Sequence, residues 1–242
     1  MKLFNLDSVH PSWRSCLNRA LKTLDLHYLQ KLYNSNTWLP GHNNLFNSFS
    51  LPMDQTQYVL LGESPYPRAQ SANGYAFWDA AVQELWSHTG LSKTVNRATS
   101  LRNMIKMLLV AEKKLDPFDT SQSAIANMDK TGLVTTNADL FNNLLNQGFL
   151  LLNATPVLQI KTKRQDAMAW RPFMHYVLND LLRFYPKTQL ILFGKLAQII
   201  TQLIDTTDVQ IIQSEHPYNL SFIHNKQILA LFQPMHLLRN TK

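Results

Sequence analysis

The stretch Tyr58-Val59-Leu60-Leu61-Gly62-Glu63-Ser64-Pro65-Tyr66-Pro67 decides how the chain is read. An apolar run of strand-forming residues stops at a glycine and passes at once into a loop of polar and rigid residues. Pockets of α/β sheets open at such strand ends. Most strands also end in Gly, Ser or Pro without any chemistry, so this run alone establishes a strand and a turn.

Working outward, apolar runs alternate with segments of helical period. Residues 99–112 carry Leu101, Met104, Ile105, Leu108 and Leu109 at helical spacing, with Thr99 or Ser100 placed to cap the start. The pattern predicts a helix over 138–146, stopped by Gly148, and then the apolar strand 149–152. A helix over 170–184, a strand at 189–193, a helix from Gly194 through Ile204, a strand at 209–212 and a closing helix over 228–238 follow. Upstream, 11–33 reads as helical and 38–49 as an irregular connection, while 113–136 is polar, of mixed sign, and reads as a surface excursion. Strands alternating with helices imply a parallel sheet, here of four strands.

A chain of 242 residues with 45% hydrophobic side chains can bury one sizeable α/β core and is short for two full domains, so a single domain over 1–242 is expected. Lys and Arg number 23 against 16 Asp and Glu, a net charge of +7 that favours an anionic partner such as nucleic acid. The single cysteine, Cys16, excludes an intrachain disulfide, an all-cysteine zinc site and an iron-sulfur cluster, and fits a reducing compartment. The start, Met1 to Asp7, has no apolar core of signal-peptide length, and no stretch approaches the roughly 18 apolar residues of a membrane span. A soluble, cytoplasmic protein is expected. There is no internal repeat, Walker phosphate loop or dinucleotide glycine fingerprint, so dependence on ATP or NAD is not expected.

Three further segments share an order and spacing with the first: Ser71-Ala72-Asn73-Gly74-Tyr75-Ala76-Phe77, Leu150-Leu151-Leu152-Asn153, and Glu215-His216-Pro217-Tyr218-Asn219-Leu220-Ser221. Together they resemble the uracil-DNA glycosylases of the family 1 type. The resemblance runs from Trp13 through the final helix and includes Phe193-Gly194 with Ala197-Gln198. It implies a three-layer α/β/α sandwich around a central four-stranded parallel sheet, and hydrolysis of the N-glycosidic bond of uracil in DNA, with no metal or cofactor.

Base excision needs a nucleotide that leaves the stack and a pocket that reads its Watson-Crick edge. A side-chain amide at Asn153 can offer both a donor and an acceptor to that edge. In the family the Asn at this place selects uracil over cytosine, the Phe matching Phe77 stacks on the base, and the Tyr matching Tyr66 walls off the space of a thymine methyl. Gly62 and Glu63 would complete the base-binding strand end. The resemblance makes His216 the donor to the departing uracil, which a neutral imidazole can be. It makes Leu220 the wedge that fills the vacated stack. Ser100, in a Ser-Leu-x-Asn-Met segment, and Ser221 match phosphate contacts, and Lys163 and Arg164 would add charge to the same surface.

The family's first motif reads Gly-Gln-Asp-Pro-Tyr-His, and its Asp positions the attacking water. Here that place is Ser64. A hydroxyl is no carboxylate base at neutral pH, and loss of a general base costs about 10²- to 10⁴-fold in rate. Glu63 puts a carboxylate one residue away, and related loops of the Gly-Glu-Ala-Pro-Gly kind work without an acid here. Adjacent side chains of an extended segment point oppositely, however, so Glu63 needs a particular loop geometry to serve. Trp78, Pro67 and Tyr218-Asn219 also depart from the family's Ser, His and Ser-Pro. Three readings stay open: a glycosylase working without the Asp, a catalytically impaired DNA- or uracil-binding protein of the same fold, and an interaction module that kept only the fold. The expected partners are uracil-containing DNA, single- or double-stranded, and a proteinaceous inhibitor as for the family. A monomer would suffice.

Overall fold

The computed structural model describes residues 4, 6–205 and 207–240, so much of the start read for a signal segment lies outside the described residues. In chain order the elements are α1 (Pro11–Leu21), α2 (Leu26–Tyr33), β1 (Tyr58–Gly62), β2 (Trp86–Ser87), β3 (Gly90–Leu91), α3 (Lys93–Arg97), α4 (Thr99–Ala111) and α5 (Gln122–Asn127). There follow α6 (Asn137–Asn146), β4 (Phe149–Asn153), α7 (Lys163–Phe184), β5 (Gln189–Phe193), α8 (Leu196–Ile200), β6 (Ile211–Ser214) and α9 (Lys226–Phe232). Contacts group these into two compact units, Met1–Asp79 with Gly148–Ile211, and Ala80–Gln147 with Ile212–Lys242.

The four-stranded sheet has the order β4-β1-β5-β6, as expected of an α/β fold with crossover connections. In the first unit β1 runs parallel to both neighbours, with Val59 opposite Leu150 and Leu190, and Gly62 opposite Asn153. Strands buried on both faces read as unbroken apolar runs, and Leu60, Leu151 and Ile191 are as fully buried as Val59, Leu150 and Leu190. Val59, Leu61, Leu150 and Leu152, at period two, share a core with Trp13 and Leu17 of α1 and Trp170, Phe173 and Val177 of α7.

The helical run at 11–33 is two helices. Asp25 stands between them and caps α2 by accepting the Tyr28 N–H at 2.7 Å. Helix α7 starts at Lys163, well before the expected 170. Buried Asp166 in its first turn accepts from the Gln159 backbone N–H (2.9 Å), Gln159 Nε2 (2.8 Å) and the Tyr28 hydroxyl (2.9 Å), which fixes the entry to the helix. Helix α8 ends at Ile200 instead of reaching 204, and β6 begins two residues later than the expected 209.

In the second unit α4 buries Leu101, Ile105, Met107, Leu108 and Leu109 and packs against α9 and the short 3₁₀ turn Leu220–His224. Its cap position is Ala98, with no side-chain cap; Thr99 and Ser100 lie inside the helix because α3 runs almost directly into it. The excursion at 113–136 contains α5, whose start Ser121 caps by accepting the Ala124 N–H at 3.1 Å. The closing helix is shorter than expected. Pro234 cannot continue the α-helical hydrogen bonding, so α9 passes into a 3₁₀ turn, Gln233–Met235, and His236 turns left-handed at φ 49°.

Candidate active site

In the first unit the site residues gather at the carboxyl ends of β1 and β4. The ladder continues beyond the Gly62–Asn153 pair, since Ala154 N–H donates to the Gly62 carbonyl (2.8 Å) and Thr155 N–H to the Glu63 carbonyl (3.0 Å). This ties the Ser64 loop to the chain that leaves Asn153. The segment ending at Phe77 is laid on β4 by the Ala76 N–H, which donates to the Leu151 carbonyl at 3.0 Å. A Cβ on Gly62 would fall 2.8 Å from Asn153 Oδ1 and 2.9 Å from the Ala76 Cβ, so only glycine fits there.

Asn153 is 4% exposed, and its side-chain amide has no hydrogen-bond partner among the described residues. Its amide atoms are not among the enclosed, unpartnered side-chain atoms of the described residues, so they face open space from which a ligand can supply both a donor and an acceptor. Phe77 adopts a left-handed φ of 63°, uncommon for a side chain of its size. The Tyr66 hydroxyl donates to the Phe77 carbonyl at 3.0 Å, and the Phe77 ring meets Phe193 edge to face at 5.8 Å. Burial, and then the Asp79 carboxylate, push the Tyr66 phenol up, outweighing the opposing Arg68 charge, so it stays a donor. Arg68 pairs with buried Asp79 at 2.9 Å and pins the loop between them.

Glu63 is exposed and Ser64 half-buried, and with Thr155, Lys163, Arg164 and Arg171 they line a groove of about 410 Å³. Lys163 and Arg164 sit in the first turn of α7, both exposed, where a loop was expected. Their polar run carries no apolar period, so nothing in the spacing marks the helix start.

In the second unit a hydrogen bond fixes the neutral tautomer of His216. Its Nδ1 accepts the Tyr218 backbone N–H at 3.0 Å, and a backbone N–H can only donate. In the neutral ring the proton is therefore on Nε2. Asn103, fully buried on α4, donates Nδ2 to the Pro217 carbonyl at 2.7 Å and holds this loop. Nothing in the sequence reading gave Asn103 a role; its only signal was its place in the Ser-Leu-x-Asn-Met segment. Asn225 caps α9 by accepting the Ile228 N–H (3.1 Å) and donates to Glu215 Oε2 (2.8 Å). Burial pushes the Glu215 carboxyl up, but hydrogen bonds from its own backbone, Ser221 and Asn225 prevail and hold it below the usual range. Leu220 is 67% exposed, Ser221 is exposed beside it, and Ser100 lies half-buried in the first turn of α4.

Among the described residues no group of three or more His, Cys, Asp or Glu is placed to hold a metal ion, and no helix is long and apolar enough to cross a membrane.

The profile of the uracil DNA glycosylase superfamily matches residues 49–242. A curated uracil-DNA glycosylase of Amoebophilus asiaticus (strain 5a2) is 28% identical over 218 residues, covering 87% of this chain and 84% of that protein. Among solved structures, the wild-type UNG of Nitratifractor salsuginis is 41% identical, with 99% of this chain and 96% of that one covered and a TM-score of 0.93. A mimivirus UNG variant in complex with UGI shares the fold at 17% identity, with 90% and 72% of the two chains covered and a TM-score of 0.58.

Proposed function

Since the chain belongs to the uracil DNA glycosylase superfamily, we propose that it hydrolyses the N-glycosidic bond of deoxyuridine in DNA and so initiates base excision repair. The observation that carries this reading is the buried, unpartnered amide of Asn153 at a strand end where Gly62 leaves it room. An Asn carbonyl accepts the uracil N3–H while its NH₂ donates to O4, and cytosine offers that orientation neither match. In this reading Phe77 stacks on the flipped base, and Tyr66 occupies the space a C5 methyl would need.

His216 supplies the electrophile. With Nδ1 engaged by the Tyr218 N–H, the Nε2–H is free of tautomeric choice and donates to uracil O2 as the C1′–N1 bond breaks. The exposed Leu220 fills the vacated stack, while Ser100, Ser221, Lys163 and Arg164 take backbone phosphates, in keeping with the net charge of +7. The family match runs through both compact units, which supports reading them as one glycosylase-like domain. The protein would act as a soluble intracellular monomer on single- or double-stranded DNA, without a cofactor, and would be open to a protein inhibitor of the UGI kind.

The rival reading, a uracil or DNA binder without turnover, rests on the Ser64 hydroxyl where the family has a carboxylate. A labelled oligonucleotide with a single uracil, treated with alkali after incubation, tests the two. Wild-type cleavage that falls about 10²- to 10³-fold in His216→Ala, the usual loss for one such donor, supports the enzyme. Binding of the uracil strand without cleavage supports the binder.

A further inference from the structure

The groove beside Ser64 holds more than the sequence reading assigned to it, and the role inferred for it rests on the proposed glycosylase activity. Three residues that line it carry side-chain oxygens with no protein partner among the described residues: the Glu63 carboxylate, the Ser64 hydroxyl and the Thr155 hydroxyl. Gly62 is in register with Asn153, and the ladder continues through Ala154–Gly62 and Thr155–Glu63, so Ser64 and Thr155 come at the same step of adjacent segments. Thr155 is only 8% exposed. Its hydroxyl is not among the enclosed, unpartnered side-chain atoms of the described residues, so it reaches the groove and is open to a partner from outside the chain. The bend at residues 63–64 also lets consecutive residues line one groove, the geometry that an extended segment denies Glu63.

We infer that Thr155 is a further water-positioning residue: its hydroxyl and that of Ser64 hold the attacking water, and Glu63 takes the proton. Two hydroxyls can fix the direction of the water's lone pair, and neither is a base able to take the water's proton at neutral pH. In the step, the water oxygen bonds to C1′ as the C1′–N1 bond breaks, and the bonding pair leaves on uracil. One water proton passes to Glu63 and from there to the released uracil anion. The division of labour replaces a single carboxylate by two hydroxyls that aim the water and one neighbour that deprotonates it.

Single-turnover rates and KM on the single-uracil oligonucleotide, with melting temperatures, test this for the wild type, Thr155→Val, Thr155→Ser and Glu63→Gln. The expectation is a rate about 10-fold or more lower in Thr155→Val with KM and melting temperature unchanged, recovery in Thr155→Ser, and a loss of about 10²- to 10⁴-fold in Glu63→Gln. Thr155→Ala takes the place of Thr155→Val if the latter melts early. A Thr155→Val protein that cleaves at the wild-type rate, or a Thr155→Ser protein as slow as Thr155→Val, overturns the inference and leaves the glycosylase standing. A wild type that releases no uracil overturns both.

Discussion

Gly62 and Asn153 are register partners at the ends of adjacent parallel strands, and a side chain on the first would collide with the amide of the second, 2.8 Å from its Oδ1. The glycine is thus part of how the amide proposed to read the base is aimed. Gly62→Ala must displace the Asn153 amide or Ala76, and overpacking of this kind costs about 1–3 kcal/mol. The expected result is a KM for uracil-containing DNA at least about tenfold higher, beyond what the drop in melting temperature explains, read by steady-state kinetics and thermal unfolding.

Phe77 separates stability from binding. Its left-handed φ of 63° is strained for any residue but glycine, at about 1–2 kcal/mol. Phe77→Gly should therefore lose less stability than Phe77→Ala, while both lose uracil binding to a similar degree. Tyr66→Phe, which removes the hydrogen bond to the Phe77 carbonyl, should cost about 1 kcal/mol in urea unfolding. Tyr66→Ala should admit thymine, seen as new cleavage at T in a mismatch.

Asn103 holds the loop that carries His216, through the Pro217 carbonyl. Asn103→Ala leaves the Pro217 carbonyl without its 2.7 Å partner and loosens the loop that carries His216. The expected loss is about 1–3 kcal/mol in stability and a fall in kcat larger than any rise in KM.

Glu215 has a carboxyl held below its usual range, so its stabilisation is complete above the ordinary Glu pKa and is lost as pH falls through the lower folded value. Glu215→Gln should be less stable than the wild type at neutral pH, and the gap should close in acid, below the ordinary carboxylate range. Urea unfolding at a series of pH values reads this directly. A gap that stays constant with pH would show that the charge of Glu215 carries no stability.

The parts of the fold that were readable from sequence are those in which burial imposes a simple pattern. Strands β1, β4 and β5 are buried on both faces and appear as unbroken apolar runs. Strand β6, with Gln213 exposed between half-buried neighbours, carries no such pattern, and its position was off by two residues. The start of α7 is set by hydrogen bonds to Asp166 and not by apolar spacing, and the β2–β3 pair is too short to show a period. Asn153, Phe77 and His216 stand in motifs, so their roles can be proposed from the sequence. The tautomer of His216 depends on the loop geometry that brings the Tyr218 N–H to its ring, the anchoring by Asn103 on a contact with a distant stretch, and the open hydroxyl of Thr155 on the absence of one, none of which a residue pattern records.

The central claim is that this chain cleaves uracil from DNA with a hydroxyl at position 64. Its most direct test is the single-turnover release of uracil from a single-uracil oligonucleotide by the wild type, with Ser64→Asp and His216→Ala alongside. The account predicts wild-type release that depends on His216. Absence of release by the wild type, with activity appearing only in Ser64→Asp, would contradict it and leave a base-binding pocket without its hydrolytic step.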